Sequence, residues 1–100
     1  MINILLCCSA GMSTSLLVTK MQKAADSRGL ESTIWAVSAD EAGQNVGKAD
    51  VILLGPQIKF LRGDIESLAG DKPLDVIPMR DYGMLNGEAV LDLALSLYQS

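Results

Sequence analysis

With 100 residues the chain is long enough to close one hydrophobic core, and 49% apolar against 20% charged residues exclude a disordered tail. A net charge of −4 and a pI near 4.5 exclude nucleic acid as a partner, because no basic stripe can be built. No histidine is present, so no phosphohistidine, Cys–His pair or imidazole metal site can form on this chain.

In chain order the pattern alternates strand and helix. Ile2–Cys7 is a largely apolar run, with Asn3 its one polar residue, and predicts a buried strand. A loop over Cys8–Ser15 leads into a helix from about Ser15 to Ser27, with Leu17, Met21, Ala24 and Ala25 at helical spacing and Gly29 as its C-terminal cap. Ser32–Val37, rich in β-branched residues and carrying Trp35, predicts the second strand. Ser38–Glu41 has the form of a capping box for a short helix weakened by Gly43 and Gly47. Ala49–Leu54 is the third strand, ended by Gly55-Pro56. A helix follows with Ile58, Leu61, Ile65 and Leu68 on one stripe and Gly63 inside it. Lys72–Ile77 is the fourth strand, and Pro73 and Asp75 suit it to a sheet edge. A loop over Pro78–Gly87 precedes a last helix with Val90, Leu93, Ala94 and Leu97 on its apolar face.

Strands separated by helices predict an α/β fold, a parallel sheet covered on both faces. The expectation is a single domain over residues 1–100. No apolar stretch approaches the ~20 residues of a membrane span, and no basic start or small-residue cleavage site marks a secretory leader. The expected setting is the cytoplasm, with both cysteines reduced, and no cofactor or metal is expected.

The chemistry concentrates in Cys7-Cys8-Ser9-Ala10-Gly11-Met12-Ser13-Thr14-Ser15. A strand-to-helix turn points backbone N–H groups outward, and the hydroxyls of Ser9, Ser13, Thr14 and Ser15 add donors, so the stretch predicts an anion site of phosphate size. Gly11 allows the backbone to approach the anion closely. Cys8, at the end of the strand, is placed to react as a thiolate. Cys7 lies one residue inside the strand, points to the opposite side, and reads as core. In a parallel sheet, ligands sit beyond the carboxyl ends of strands where the order reverses. If strands one and three are neighbours, the Cys8 and Pro56 loops meet there. The Tyr82 loop leaves the same rim, and Pro56, Gln57 and Tyr82 are candidate rim contacts for partners.

The run Cys8–Ser15, with Gly55-Pro56-Gln57-Ile58 further on, resembles the IIB component of the lactose/cellobiose class of the bacterial phosphoenolpyruvate-dependent sugar phosphotransferase system. The resemblance covers nearly the whole chain. It implies a three-layer fold with a four-stranded parallel sheet of order 2-1-3-4, akin to cysteine phosphatases. It also implies that Cys8 becomes a phosphocysteine, taking its phosphoryl group from a phosphohistidine of a IIA partner. The group then passes to a disaccharide (cellobiose-, lactose- or chitobiose-like) bound by the membrane-embedded IIC partner. A monomer is expected, meeting the inner face of the membrane only through IIC.

The other readings follow from the same residues. Cysteine phosphatases carry an arginine six residues after the nucleophile; here that position is Thr14. A hydroxyl there suits a carrier that retains its phosphoryl group better than a hydrolase, and a low-molecular-weight phosphatase is the alternative. A redox role for Cys7-Cys8 is disfavoured by the strain of a bridge between adjacent cysteines. Ser13, Thr14 and Ser15 serve as helix caps, as phosphate ligands, or as both. Pro56 and Gln57 either punctuate the turn or contribute to the site. Asp81 reads as a solvated turn residue. Met12, Pro56, Ile58 and Met84 are expected to form an exposed apolar rim for partners.

Overall fold

A strand buried on both faces shows no polar alternation, and the first run of the chain is such a strand. The computed structural model describes residues 1–8 and 11–99, with the backbone alone at Gly11, Met12 and Ser13. Strand β1 (Ile2–Cys8) is central in a four-stranded sheet of order β2-β1-β3-β4, in which β2 (Ser32–Ser38), β3 (Val51–Leu54) and β4 (Leu74–Val76) complete the set. All three pairings are parallel. β1 aligns Ile4 with Ile34 on one side and with Val51 on the other. The fourth strand lies at an edge, as its proline and aspartate suggest.

The two faces are covered by different layers. Ile2, Ile4 and Leu6 of β1, with Val51 and Leu53 of β3, pack against Leu17, Met21, Ala24 and Ala25 of α1 (Gly11–Ser27) and Val90, Leu91 and Ala94 of α5 (Gly87–Gln99). The alternate residues Leu5, Cys7, Ile52 and Leu54 pack against Ala42 of α2 (Ala42–Asn45), Val46, Ile58, and Ile65 and Ala69 of α3 (Arg62–Ala69). Each fully buried leucine or isoleucine of these sets contributes roughly 1.5–3 kcal/mol by leaving water. Gly29, at φ 66°, closes α1, and the Leu30 N–H reaches back to the Ala25 carbonyl at 2.9 Å.

Several predicted elements are corrected. Helix α1 starts at Gly11, four residues before the expected Ser15, so Thr14 lies within its first turns and faces the interior, where its hydroxyl meets that of Tyr82. The capping box does not close on the backbone: Ser38 Oγ donates instead to Glu41 Oε1 at 3.3 Å, and the segment Ala39–Glu41 is a 3-10 turn. The predicted helix after β3 is a 3-10 segment over Pro56–Leu61 followed by α3, with Ile58 outside helical geometry (φ −118°, ψ 25°). That break shifts the helical phase, so Leu68 faces solvent while Ala69 is buried. The predicted loop over Pro78–Gly87 contains a short helix, α4 (Met79–Gly83), whose Tyr82 turns inward. Asn86 Oδ1 then accepts the Ala89 N–H at 3.1 Å and caps α5. The apolar face of α5 is wider than its predicted stripe, since Leu91 is buried between sheet and α1.

Close backbone approach joins α5 to α1. A Cβ on Gly87 would lie 2.5 Å from the Lys20 carbonyl carbon and 2.7 Å from the Met21 nitrogen, so only glycine fits that crossing. Arg28 at the end of α1 ties the other end by an ion pair with Asp92 at 2.7 Å.

Candidate active site

Cys8 is the last residue of the central strand, and α1 begins three residues later. A 17-residue helix thus starts just beyond the thiol, with its unpaired N–H groups and positive dipole end at the carboxyl edge of the sheet. The strand order reverses between β1 and β3, which is where open parallel sheets bind ligands. Cys8 pairs in register with Ser38 of β2. Beside it, Gly55 N–H donates to the Cys7 carbonyl at 2.8 Å, and a Cβ on Gly55 would come 3.5 Å from Cys8 Cβ and 2.9 Å from Gln57 Oε1. The Cys8 and Pro56 segments are therefore neighbours, as expected for adjacent strands one and three, and Gln57 reaches back toward the cysteine.

Adjacent thiols have opposite settings. Cys7 packs with Leu5, Ile52, Leu54 and Ile58 under the second face, and burial followed by repulsion from Cys8 pushes its pKa up to about 11. It packs as a core residue, in line with its place one step inside the strand. Cys8 is buried as well, but at the rim where chain, helix end and turn converge.

The other predicted site residues divide. Ser9 and Ala10 lie outside the described residues, as do the side chains of Met12 and Ser13. Thr14 is 1% exposed and lies within hydrogen-bond reach of Tyr82 (Oγ1 to phenolic oxygen 2.9 Å), in the fourth position of α1. Ser15 faces outward one residue on. Tyr82 is not a surface contact: it is buried beneath α4 and joined to the cysteine segment through Thr14. Pro56 and Ile58 are also buried, because the 3-10 geometry folds both onto the sheet, so neither belongs to an exposed rim. Gln57 and Met84 are exposed, and Asp81 is half-buried. Leu16, Phe60 and Met79, which the sequence pattern did not single out, are exposed apolar side chains on segments leaving the same edge of the sheet. A bare run of helix-compatible residues carries no sign of which will face solvent once Pro56–Leu61 departs from α geometry.

The cations along α1 and just past its end, Lys20, Lys23 and Arg28, lie in its later half and beyond, away from the Cys8 end. Arg28 is occupied with Asp92 and Glu88 at the far end, and Lys20 lies roughly 9 Å along the axis beyond Thr14. An open hollow of about 470 Å³ lined by Asn3, Thr33, Trp35, Asn45 and Lys48 lies at the opposite end of β1, roughly 17 Å from Cys8 along the strand. Its indole N–H is already donated to Asn45 Oδ1 at 3.1 Å. Among the described residues no helix is long and apolar enough to cross a membrane.

Known proteins agree with this architecture. At 40% identity the chain is similar to the solution structure of a cellobiose-specific phosphotransferase IIB component from Borrelia burgdorferi, with a TM-score of 0.82 over 98% of this chain and 92% of that one. The lactose-specific IIB domain from Streptococcus pneumoniae shares the fold at 16% identity, with a TM-score of 0.81 and 97% of each chain covered. In sequence the chain is 48% identical to the oligo-beta-mannoside-specific EIIB component of Bacillus subtilis (strain 168), covering 95% of this chain and 94% of that protein. It is also 48% identical to the galactose-specific EIIB component of Lactococcus lactis subsp. cremoris (strain MG1363), over 94% of each. Residues 3–93 match the family described as the lactose/cellobiose-specific IIB subunit of the PTS system, and the chain belongs to that family, whose members are phosphotransferase subunits.

Proposed function

We propose that Cys8 is the phosphoryl carrier of this subunit. Its thiolate attacks the phosphorus of a phosphohistidine on a IIA partner; the S–P bond forms, the N–P bond breaks, and the electron pair returns to the imidazole nitrogen. In the second step a hydroxyl of a disaccharide held by the membrane-embedded IIC partner attacks the same phosphorus. The S–P bond breaks, the thiolate is restored, and the hydroxyl proton is released to solvent or to the partner. Phosphoryl transfer depends mainly on positioning and on stabilising oxygen charge, and the N–H groups of α1, with the hydroxyls of the Ser9–Ser15 stretch, supply such donors. The observation that carries the reading is the position of Cys8, at the carboxyl end of the central strand and just ahead of a long helix.

Thr14 in place of an arginine supports a carrier over a hydrolase, since no bidentate cation holds the phosphate for attack by water. Leu16, Phe60, Met79 and Met84 offer an exposed apolar surface for IIA and IIC in turn, suited to brief, small interfaces. The domain acts in the cytoplasm as a monomer, meeting the membrane through IIC. The relatives at 48% identity carry different sugar names, which supports placing sugar choice in the membrane partner.

The test is intact-mass analysis after incubation with phosphoenolpyruvate, the general phosphotransferase enzymes and a matching IIA protein. One phosphoryl adduct is expected on wild type and on Cys7→Ser, and none on Cys8→Ser. A wild type without adduct, beside a IIA shown to be active, would sink the carrier reading; turnover of an aryl phosphate would then favour a phosphatase.

A further inference from the structure

The hydroxyls of Thr14 and Tyr82 meet at 2.9 Å across 68 residues of sequence, and their residues are 1% and 7% exposed. Thr14 lies six residues after Cys8, on the first turns of α1. Tyr82 comes from α4, a five-residue helix too short to hold itself together and fixed by what it packs on. Two hydroxyls bring two protons, and only one lies in the bond between them. Either hydroxyl can be the donor in this bond; the phenol is the more acidic of the two, and with Tyr82 donating to Thr14 Oγ1 the Thr14 proton can turn to a phosphoryl oxygen. A phosphoryl group on Cys8 brings anionic oxygens to the same end of α1, and a donor that itself accepts a hydrogen bond is polarised and strengthened.

We infer that Tyr82 is a positioning residue for phosphoryl transfer: its hydroxyl fixes the Thr14 side chain and directs the Thr14 proton to a phosphoryl oxygen on Cys8. The pair takes over, with neutral groups, part of the place an arginine would fill. This rests on the carrier role of Cys8. It also predicts coupling, because Tyr82 acts only through Thr14.

The experiment uses wild type, Y82F, T14V, T14S and the double variant Y82F/T14V. Three quantities are followed: the rate of Cys8 phosphorylation by limiting phospho-IIA, the 31P resonance of the phosphoprotein, and stability in urea. T14V is expected to slow transfer about ten- to a hundredfold, the range for a lost hydrogen bond to a charged group, and Y82F, which keeps the Thr14 hydroxyl, about two- to tenfold, the range for a neutral one; both should shift the 31P resonance. T14S, which keeps the hydroxyl, should transfer near the wild-type rate. The double variant pairs two apolar groups and should regain most of the stability lost by either single variant, yet transfer no faster than T14V. Recovery of transfer together with stability in the double variant would reduce the pair to a structural tether and overturn the inference. So would a Y82F protein with wild-type rate and resonance. Either result leaves the Cys8 adduct on wild type intact, whereas a wild type without adduct overturns the carrier reading itself.

Discussion

One face of the sheet is covered by two regular helices and the other by fragments. α1 and α5 run 17 and 13 residues and meet through a glycine contact. On the opposite face, α2 and α3 have four and eight residues and are interleaved with 3-10 segments. Both faces are built on the same central strand, whose odd and even residues go to different layers. The lesson is a division of labour. The regular face holds the long helix that starts beside Cys8, and its geometry tolerates little change. The fragmented face shelters Cys7, and its short segments leave Phe60 and Leu68 in solvent.

Glycine substitutions test this contrast most strongly. Gly87→Ala places a methyl group against the backbone of Lys20 and Met21, and should destabilise the protein by about 2–3 kcal/mol or more in urea unfolding. A loss under about 0.5 kcal/mol would show that α5 can slide without cost. Cys7 comes next. Cys7→Ser buries a hydroxyl in an apolar pocket and should cost about 1–3 kcal/mol while leaving the phosphoryl adduct on Cys8. The same burial gives a pH dependence. With the folded thiol pushed up to about 11 from an unfolded value near 9, the native state retains a proton that the unfolded chain loses. Stability contributed by Cys7 is therefore complete below about pH 9 and declines as pH rises toward 11. Urea titrations of wild type against Cys7→Ala across that range should show the excess slope in wild type only; equal slopes would remove Cys7 as its source.

Surface changes are expected to separate transfer from stability. Phe60→Asp should slow phosphorylation by IIA and alter stability by less than about 0.5 kcal/mol; unchanged transfer kinetics would take Phe60 out of the docking surface. The smallest effect, and of opposite sign to Gly87→Ala, belongs to Gly63→Ala. Gly63 lies inside α3 with nothing within 4 Å of an added Cβ, so alanine should stabilise by about 0.5–1 kcal/mol. A destabilised Gly63→Ala would mean that α3 needs the freedom of glycine.

Much of this was legible along the chain because its physics is local. The apolar run from Ile4 to Cys8 declares a buried strand, and period-two geometry sends Cys7 and Cys8 to different sides. Alternation of strand and helix declares the parallel sheet. The resemblance of the Cys8–Ser15 run carried the strand order, which the pairing bears out.

Tertiary structure alone decided the rest. The bond between Thr14 and Tyr82 joins positions 68 apart, with no local pattern to announce it, and both side chains lie in the interior where the sequence pattern suggested loops. The inward fold of Pro56 and Ile58 depends on a 3-10 path that no apolar periodicity encodes. Short-range propensity and periodicity specify which residues become strand or helix. Which side chains finally meet depends on how the layers close, and that is a property of the whole packed chain.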